Sequence, residues 1–191
     1  MKKIGLTGGI GVGKTFVAEV FQKLNIPVFN ADIEARSCLI SNYDLINSVK
    51  KEFGENIYAQ GIFQKEVLAD IVFSDPDALY KLNSLVHPIV RDAFVLWCKD
   101  QNTKFIIKEA AILFESKSDL DLDAIICVSA PYDLRIKRLK RRDGLSLEDI
   151  RKRISNQMSQ ERKEELSDYI VYNDEKQLIL PQIIGIIKEM E

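Results

Sequence analysis

The chain is poor in the residues that build most metal and disulfide chemistry. Its 191 residues include one histidine, His87, and three cysteines, Cys38, Cys98 and Cys127, spaced far apart. An odd and scattered cysteine set forms neither a metal-spaced pair nor a disulfide framework, and one histidine argues against His-rich metal sites and His-pair chemistry. An excess of charge is missing as well. With 27 Lys and Arg against 29 Asp and Glu, the net charge is -2, which excludes a globally basic nucleic-acid binder and leaves room only for a local basic patch. No apolar run approaches the roughly 18–20 residues that span a bilayer. The opening Met1-Lys2-Lys3-Ile4-Gly5 does not resemble a signal-peptide core. The expectation is a protein of the reducing cytoplasm, without a membrane or nucleic-acid partner. Repeats, low-complexity tracts and Pro/Ser-rich linkers are absent.

What is present is a hydrophobic fraction of 46%, sufficient for one domain with a small inserted lobe. Lys3-Ile4-Gly5-Leu6-Thr7 reads as a buried strand, and Val17, Val20, Phe21 and Leu24 mark an amphipathic helix. Ile26-Pro27-Val28-Phe29 is a second strand, followed by a largely helical stretch over about 32–101. Phe105-Ile106-Ile107, Ala124-Ile125-Ile126-Cys127-Val128 and Tyr169-Ile170-Val171-Tyr172 read as further strands. Pro131 suits the first turn of a helix, Ser146 the cap of the next, and Ile179, Ile183, Ile186, Ile187 and Met190 a closing helix. Strands alternating with helices predict an α/β fold with a parallel sheet covered on both faces.

Five of the nine glycines fall between Gly5 and Gly13. Gly8-Gly9-Ile10-Gly11-Val12-Gly13-Lys14-Thr15 fits G-x-x-x-x-G-K-[ST] at every fixed position, between a strand and a helix. In such a loop the glycines allow positive φ and close backbone approach, and the N–H groups with the helix N-terminus hold an anion. Lys14 then reaches the β- and γ-phosphates and the Thr15 hydroxyl a Mg²⁺. Neither the Asp-x-x-Gly nor the Asn-Lys-x-Asp element of guanine-nucleotide switches occurs. A small phosphotransferase remains, one that must close over its acceptor to exclude water.

Asp32, after the second strand, is a candidate general base, with helix capping as its other reading. Arg36 shares its helix face and either clamps an acceptor phosphate or pairs with Asp32 or Glu34. The basic run Arg135, Lys137, Arg138, Lys140, Arg141 and Arg142 reads as a phosphate-closing lid, with a solvated helix face as the alternative. It lacks the interleaved aromatics of an RNA-binding patch. Arg138 and Arg142, one turn apart, are its candidates for stabilising transferring charge. His87, before Pro88, reads as a helix C-cap, with substrate binding as the other role. Glu109 either holds metal-bound water or substrate or belongs to a salt-bridged strand end with Lys108.

These residues together resemble the dephospho-CoA kinase family, over nearly the whole chain. The resemblance rests on Ile4-Gly5-Leu6-Thr7-Gly8-Gly9-Ile10-Gly11 with Gly13-Lys14, and on Ala31-Asp32 with Ala35-Arg36. It extends through Phe53-Gly54, Leu82-Asn83, His87-Pro88 and Leu113-Phe114-Glu115. Arg138-Leu139, Arg142-Asp143, Arg153-Ile154 with Gln157, and Asn173 continue it. It implies a P-loop NTPase-type three-layer fold with a five-stranded parallel sheet, a helical lobe and a lid. Within a single domain over 1–191, the core is expected at about 1–31, 103–133 and 165–191, the helical CoA-binding lobe at about 32–102 and the lid at about 134–164. The implied reaction phosphorylates the ribose 3′-hydroxyl of dephospho-CoA, the last step of CoA synthesis, with ATP and Mg²⁺.

The resemblance further implies roles for single residues. Gly9, Gly11, Val12, Gly13, Lys14, Thr15 and Phe16 bind the nucleotide, with Asn173 beside the adenine. Lys14, Asp32, Arg138 and Arg142 are catalytic. Asp32, Arg36 and His87 contact the acceptor, and Thr15 and Glu109 the metal. The expected state is a monomer or weak homo-oligomer. Four positions depart from the family pattern: Val12 for a common Ser, Phe16 for Thr or Ser, Asn30 for the first Asp of Asp-Ala-Asp, and Glu109 with Ala111 for an Asp and a Pro. A kinase for another nucleoside or nucleotide and a non-enzymatic nucleotide-dependent regulator are the alternatives.

Overall fold

The computed structural model describes residues 1–144 and 146–191; Leu145, inside the expected lid, lies outside them. The chain divides into two compact units, Met1–Asn30 with Gln101–Glu191, and Ala31–Asp100. The first unit is built on a five-stranded sheet of β1 (Lys2–Thr7), β2 (Val28–Asn30), β3 (Phe105–Glu109), β4 (Ala124–Ser129) and β5 (Tyr169–Tyr172). Every pairing is parallel and the order is β2-β3-β1-β4-β5. Parallel strands require crossovers, and the sequence supplies helices for them. α1 (Lys14–Lys23) carries the chain from central β1 to edge strand β2, and α9 (Ile179–Met190) follows β5.

Alternation along the strands sends Ile4 and Leu6, Phe105 and Ile107, and Ile126 and Val128 to one face. There they pack with Val17, Ala18 and Phe21 of α1 and Ile179, Ile183, Ile186 and Met190 of α9. Burying each such large side chain contributes about 1.5–3 kcal/mol. α6 (Tyr132–Asp143), with Pro131 at its N-cap, α7 (Leu147–Ser155) and α8 (Gln160–Glu165) lie between β4 and β5 in the chain. Cys127 alternates to the face opposite Ile126 and Val128, and Gln160 of α8 meets its sulfur there, so this strand is covered on both sides. Ser146 caps α7 by accepting the Asp149 N–H.

The second unit is helical. α2 (Ala31–Ser41) leaves β2 directly and is followed by α3 (Tyr43–Phe53), a 3-10 segment (Glu55–Gly61), α4 (Lys65–Ser74) and α5 (Pro76–Lys99). Two expectations are corrected here. His87 is not a C-cap: α5 continues through Pro88 to Lys99. A proline inside a helix removes one hydrogen bond at a cost of about 3 kcal/mol. Val86, Val90, Phe94 and Cys98, buried at four-residue spacing across the proline, offset that loss. Asp32 is not an N-cap either. It is the second residue of α2, in the first turn, where the helix dipole favours a carboxylate.

Candidate active site

β1 ends at Thr7 in the middle of the sheet, and the phosphate loop begins there. At this switch point of an open α/β sheet, ligands bind beyond the carboxyl ends of the strands. Two glycines are required by the geometry. Gly8 has φ 143°, and a Cβ on it would run into the Val128 carbonyl of β4; Gly13 has φ 90°, and a Cβ on it would strike the Asn173 amide. Gly13 also sits at the N-cap of α1 and offers no capping side chain. The first helical hydrogen bond runs from the Val17 N–H to the Gly13 carbonyl at 3.2 Å. The N–H groups ahead of it therefore open from the helix end with its partial positive charge, as an anion site needs. The Lys14 ammonium folds over the loop and donates to the Gly8 and Gly9 carbonyls at 3.0 and 3.4 Å.

A second corner forms where β2, β3 and α1 meet. In the sheet register Asn30 and Glu109 are paired, and Glu109 lies opposite Leu6 on β1. Glu109, only 4% exposed, accepts from Asn30 Nδ2 at 2.6 Å and from the Thr15 hydroxyl at 3.4 Å. Two positions that depart from the family pattern thus touch each other. The corner offers one hydroxyl and one carboxylate, hard oxygen ligands that suit Mg²⁺. That ion keeps several waters and takes one or two protein oxygens plus phosphates. Among the described residues no group of three or more His, Cys, Asp or Glu side chains is placed to hold a metal.

The loop is held from outside by residues 120 or more positions away in the chain. Arg138 Nη1 donates to the Val12 carbonyl at 3.2 Å, and its Nη2 to the Asn173 carbonyl at 3.1 Å and to Glu175 at 3.3 Å. Asn173, 9% exposed, donates from Nδ2 to the same Val12 carbonyl at 2.8 Å. Asn173 and Arg138 therefore meet at the loop. Arg142 does not join them; its fork grips neighbouring Asp143 at 2.7 and 2.9 Å on the surface. That bond holds the Asp143 carboxyl below its ordinary range. The Phe16 ring is 53% exposed.

Sequence reasoning singled out neither Gln160 nor Lys163, and Arg135 only as one charge in a run. Gln160 Oε1 accepts the Gly9 N–H at 2.8 Å, Gln157 Oε1 accepts the Ile10 N–H at 3.0 Å, and Arg135 Nε donates to the Ile10 carbonyl at 2.9 Å. Arg135 is 5% exposed, and burial lowers its pKa. Lys163, fully buried, donates to Glu115 at 2.8 and 3.1 Å and to the Ala111 carbonyl at 2.7 Å. The same carboxylate accepts the Met158 N–H. The signal for Lys163 was Glu115 of Leu113-Phe114-Glu115, a charge beside apolar residues that needs a partner. Asp32, Arg36 and His87 belong to the helical unit: Asp32 half-buried at the start of α2, Arg36 exposed one turn on, and His87 half-buried inside α5.

A central strand feeding a glycine-rich loop, an uncapped helix and a Lys-Thr pair define a P-loop phosphotransferase of the α/β class. A family model for dephospho-CoA kinase matches residues 2–178, and the chain belongs to that family. A dephospho-CoA kinase of Chlorobaculum tepidum is 38% identical over 179 residues, covering 90% of this chain and 86% of its own. Another, of Bacteroides fragilis, is 34% identical over 186 residues, covering 97% and 91%. Among solved structures, the dephospho-CoA kinase from Campylobacter jejuni superposes with a TM-score of 0.69 at 25% identity, covering 98% of this chain and 96% of its own. The shikimate kinase of Acinetobacter baumannii, at 15% identity and TM-score 0.51 over 100% of this chain and 92% of its own, shares the fold.

Proposed function

We propose that the chain transfers the γ-phosphoryl group of ATP to the ribose 3′-hydroxyl of dephospho-CoA, giving CoA and ADP. The observation that carries this reading is the family match over residues 2–178, which takes in both units rather than the phosphate loop alone. The acceptor oxygen forms a bond to the γ-phosphorus as the bond to the ADP oxygen breaks, and the hydroxyl proton passes to the Asp32 carboxylate. Asp32 orients the hydroxyl and takes that proton. The N–H groups at the start of α1, over Gly11–Phe16, hold the β- and γ-phosphates, and Lys14 exchanges the Gly8 and Gly9 carbonyls for phosphate oxygens. Thr15 and Glu109 would hold Mg²⁺, which when bound neutralises developing charge.

Such transfers depend on positioning and charge rather than on covalent chemistry. Arg138, anchored at Val12, supplies a positive charge beside the loop. Arg142 would leave Asp143 to reach a phosphate, exchanging one anion for another. Residues 31–100 serve as the acceptor-binding lobe, with Arg36 and His87 among its contacts, and α6 to α8 as the lid. Asn173 lies beside the adenine in this reading, with Phe16 contributing its backbone N–H. Cys38, Cys98 and Cys127 are buried thiols, which suits a reducing cytoplasm. Among the described residues no helix is long and apolar enough to cross a membrane. The test is turnover with ATP and Mg²⁺ against dephospho-CoA, nucleosides and nucleoside monophosphates. Dephospho-CoA should be phosphorylated fastest; a nucleoside monophosphate used far faster would overturn the acceptor assignment.

A further inference from the structure

The phosphate loop has two halves with different partners. In the first half, Gly9 and Ile10, the backbone polar groups are engaged by side chains of the segment that follows β4. Gln160 takes the Gly9 N–H, Gln157 the Ile10 N–H, and Arg135 the Ile10 carbonyl. In the second half, from Gly11 to Thr15, the Val12 N–H turns back to the Gly9 carbonyl at 3.5 Å and the Val12 carbonyl accepts from Arg138 and Asn173, while the N–H groups of Gly13, Lys14 and Thr15 lie at the start of α1.

Gln160 is the best determined of the three. It is 8% exposed, and both ends of its amide are used. The oxygen accepts from Gly9. The nitrogen donates to the Val128 carbonyl at 3.1 Å, to Glu164 at 2.8 Å and toward the Cys127 sulfur at 3.4 Å. Only a carboxamide has an acceptor and two donors in this arrangement. A carboxylate would lose the donors, face Glu164 and set a negative charge against a loop that binds anions. Arg135 reinforces the brace: a Cβ on Gly9 would come within 2.6 Å of its Nη2, so its guanidinium lies directly against the loop backbone. No ion pair to Arg135 occurs among the described residues, and its partner at the loop is a carbonyl dipole.

We propose that Gln160 and Gln157, as neutral acceptors, and Arg135, as a donor, form a brace that positions the first half of the loop so that the second half presents N–H groups to the nucleotide phosphates. These are positioning residues; they touch the loop backbone and not the substrate. The brace makes nucleotide affinity depend on the segment Gln157–Lys163, which Lys163 and Glu115 pin to the residues after β3. The inference rests on the reading of the loop as a nucleotide site and is independent of the acceptor.

The test is ADP affinity by titration calorimetry without acceptor, alongside thermal unfolding. Gln160→Met keeps length and removes the hydrogen bonds; ADP binding should weaken about tenfold, the effect of losing one buried hydrogen bond to the loop. Gln160→Glu should weaken it at least as much, and its excess over Gln160→Met should shrink as salt rises. Ile183→Val, in the same unit but in α9, should lower the melting temperature with ADP affinity unchanged. A folded Gln160→Met protein that binds ADP within twofold of the parent overturns the proposal, as does an equal loss in Ile183→Val. Should Gln160→Met not fold, Gln157→Met carries the same test: about a fivefold loss is expected, and none overturns the proposal. Failure of the acceptor assignment would show differently, as absent turnover of dephospho-CoA with ADP binding intact.

Discussion

The two units bury different things. Thr7, Lys108, Glu109, Arg135, Gln160, Lys163 and Asn173 are the buried polar and charged residues among those described, and all lie in the sheet-bearing unit. The helical unit buries Cys38, Leu39, Leu45, Val49, Ile57, Leu68, Val72, Val86, Val90 and Phe94; its buried Tyr58 sends its hydroxyl to the Leu39 carbonyl at 2.8 Å. Burying a polar group costs free energy unless it is bonded, so apolar packing is the default way to hold a fold. A unit that buries seven polar side chains is organised for something besides stability. Three of them, Arg135, Gln160 and Asn173, converge on the phosphate loop.

That contrast is open to direct attack. Lys14→Ala should lower turnover about 10³–10⁵-fold, the range for removing a cation from a phosphoryl-transfer transition state, while leaving the melting temperature nearly unchanged. Steady-state kinetics beside thermal unfolding decide it, and a folded variant with near-normal rate breaks the contrast. Asp32→Asn sharpens it at the first turn of the helical unit. The amide keeps the volume but cannot take the proton, so turnover should fall about 10²–10⁴-fold with binding of both substrates retained. Normal turnover removes Asp32 from the chemistry. In the apolar unit the pattern should invert. Leu45→Ala, at a residue 2% exposed, should cost about 2–5 kcal/mol in urea unfolding, with unchanged turnover per folded molecule.

Lys163→Met probes a buried charge outside the loop. It leaves Glu115 without its cation, but that side chain is 25% exposed and rehydrates in part. The expected cost is therefore below the usual range for a broken buried pair, about 2–3 kcal/mol in urea unfolding. A neutral or stabilising result would make the pair dispensable for stability. Cys127 gives the smallest effect. Burial foremost raises its thiol from 9.0 to about 11. The folded state thus holds its proton where the unfolded chain has lost it, so stability is present below pH 9 and declines as pH rises toward 11. By pH 10.5 the parent should have lost about 2 kcal/mol more than Cys127→Ala relative to pH 8, measured by urea unfolding at each pH. Parallel pH profiles would exclude this.

Much of the sheet-bearing unit was legible in the sequence. Each strand is a short apolar run, and the loop is contiguous, with each residue type required by a local need: positive φ at Gly8 and Gly13, a charge at Lys14, a hydroxyl at Thr15. The ends of β2 and β3 at Asn30 and Glu109 were legible too. That the two residues face each other was not, because they pair through the ladder, and pairing is not a property of either segment alone. Pro88 misled for a related reason. A local breaker was overridden by apolar residues packed on both sides of it.

The order of amino acids determined by itself where the phosphate loop would form, which segments would be strands, and the family, since these depend on neighbours in the chain and on the set of residues present. Only the tertiary structure decided that Arg138 rather than Arg142 reaches the loop, that Asn30 steadies Glu109, and that Gln160 braces Gly9. Gly9 and Gln160 are separated by 151 positions. No periodicity or propensity spans that distance; their hydrogen bond exists because the sheet sets β1 beside β4 and α8 packs on β4, bringing an amide within 2.8 Å of a backbone N–H that would otherwise be buried without a partner.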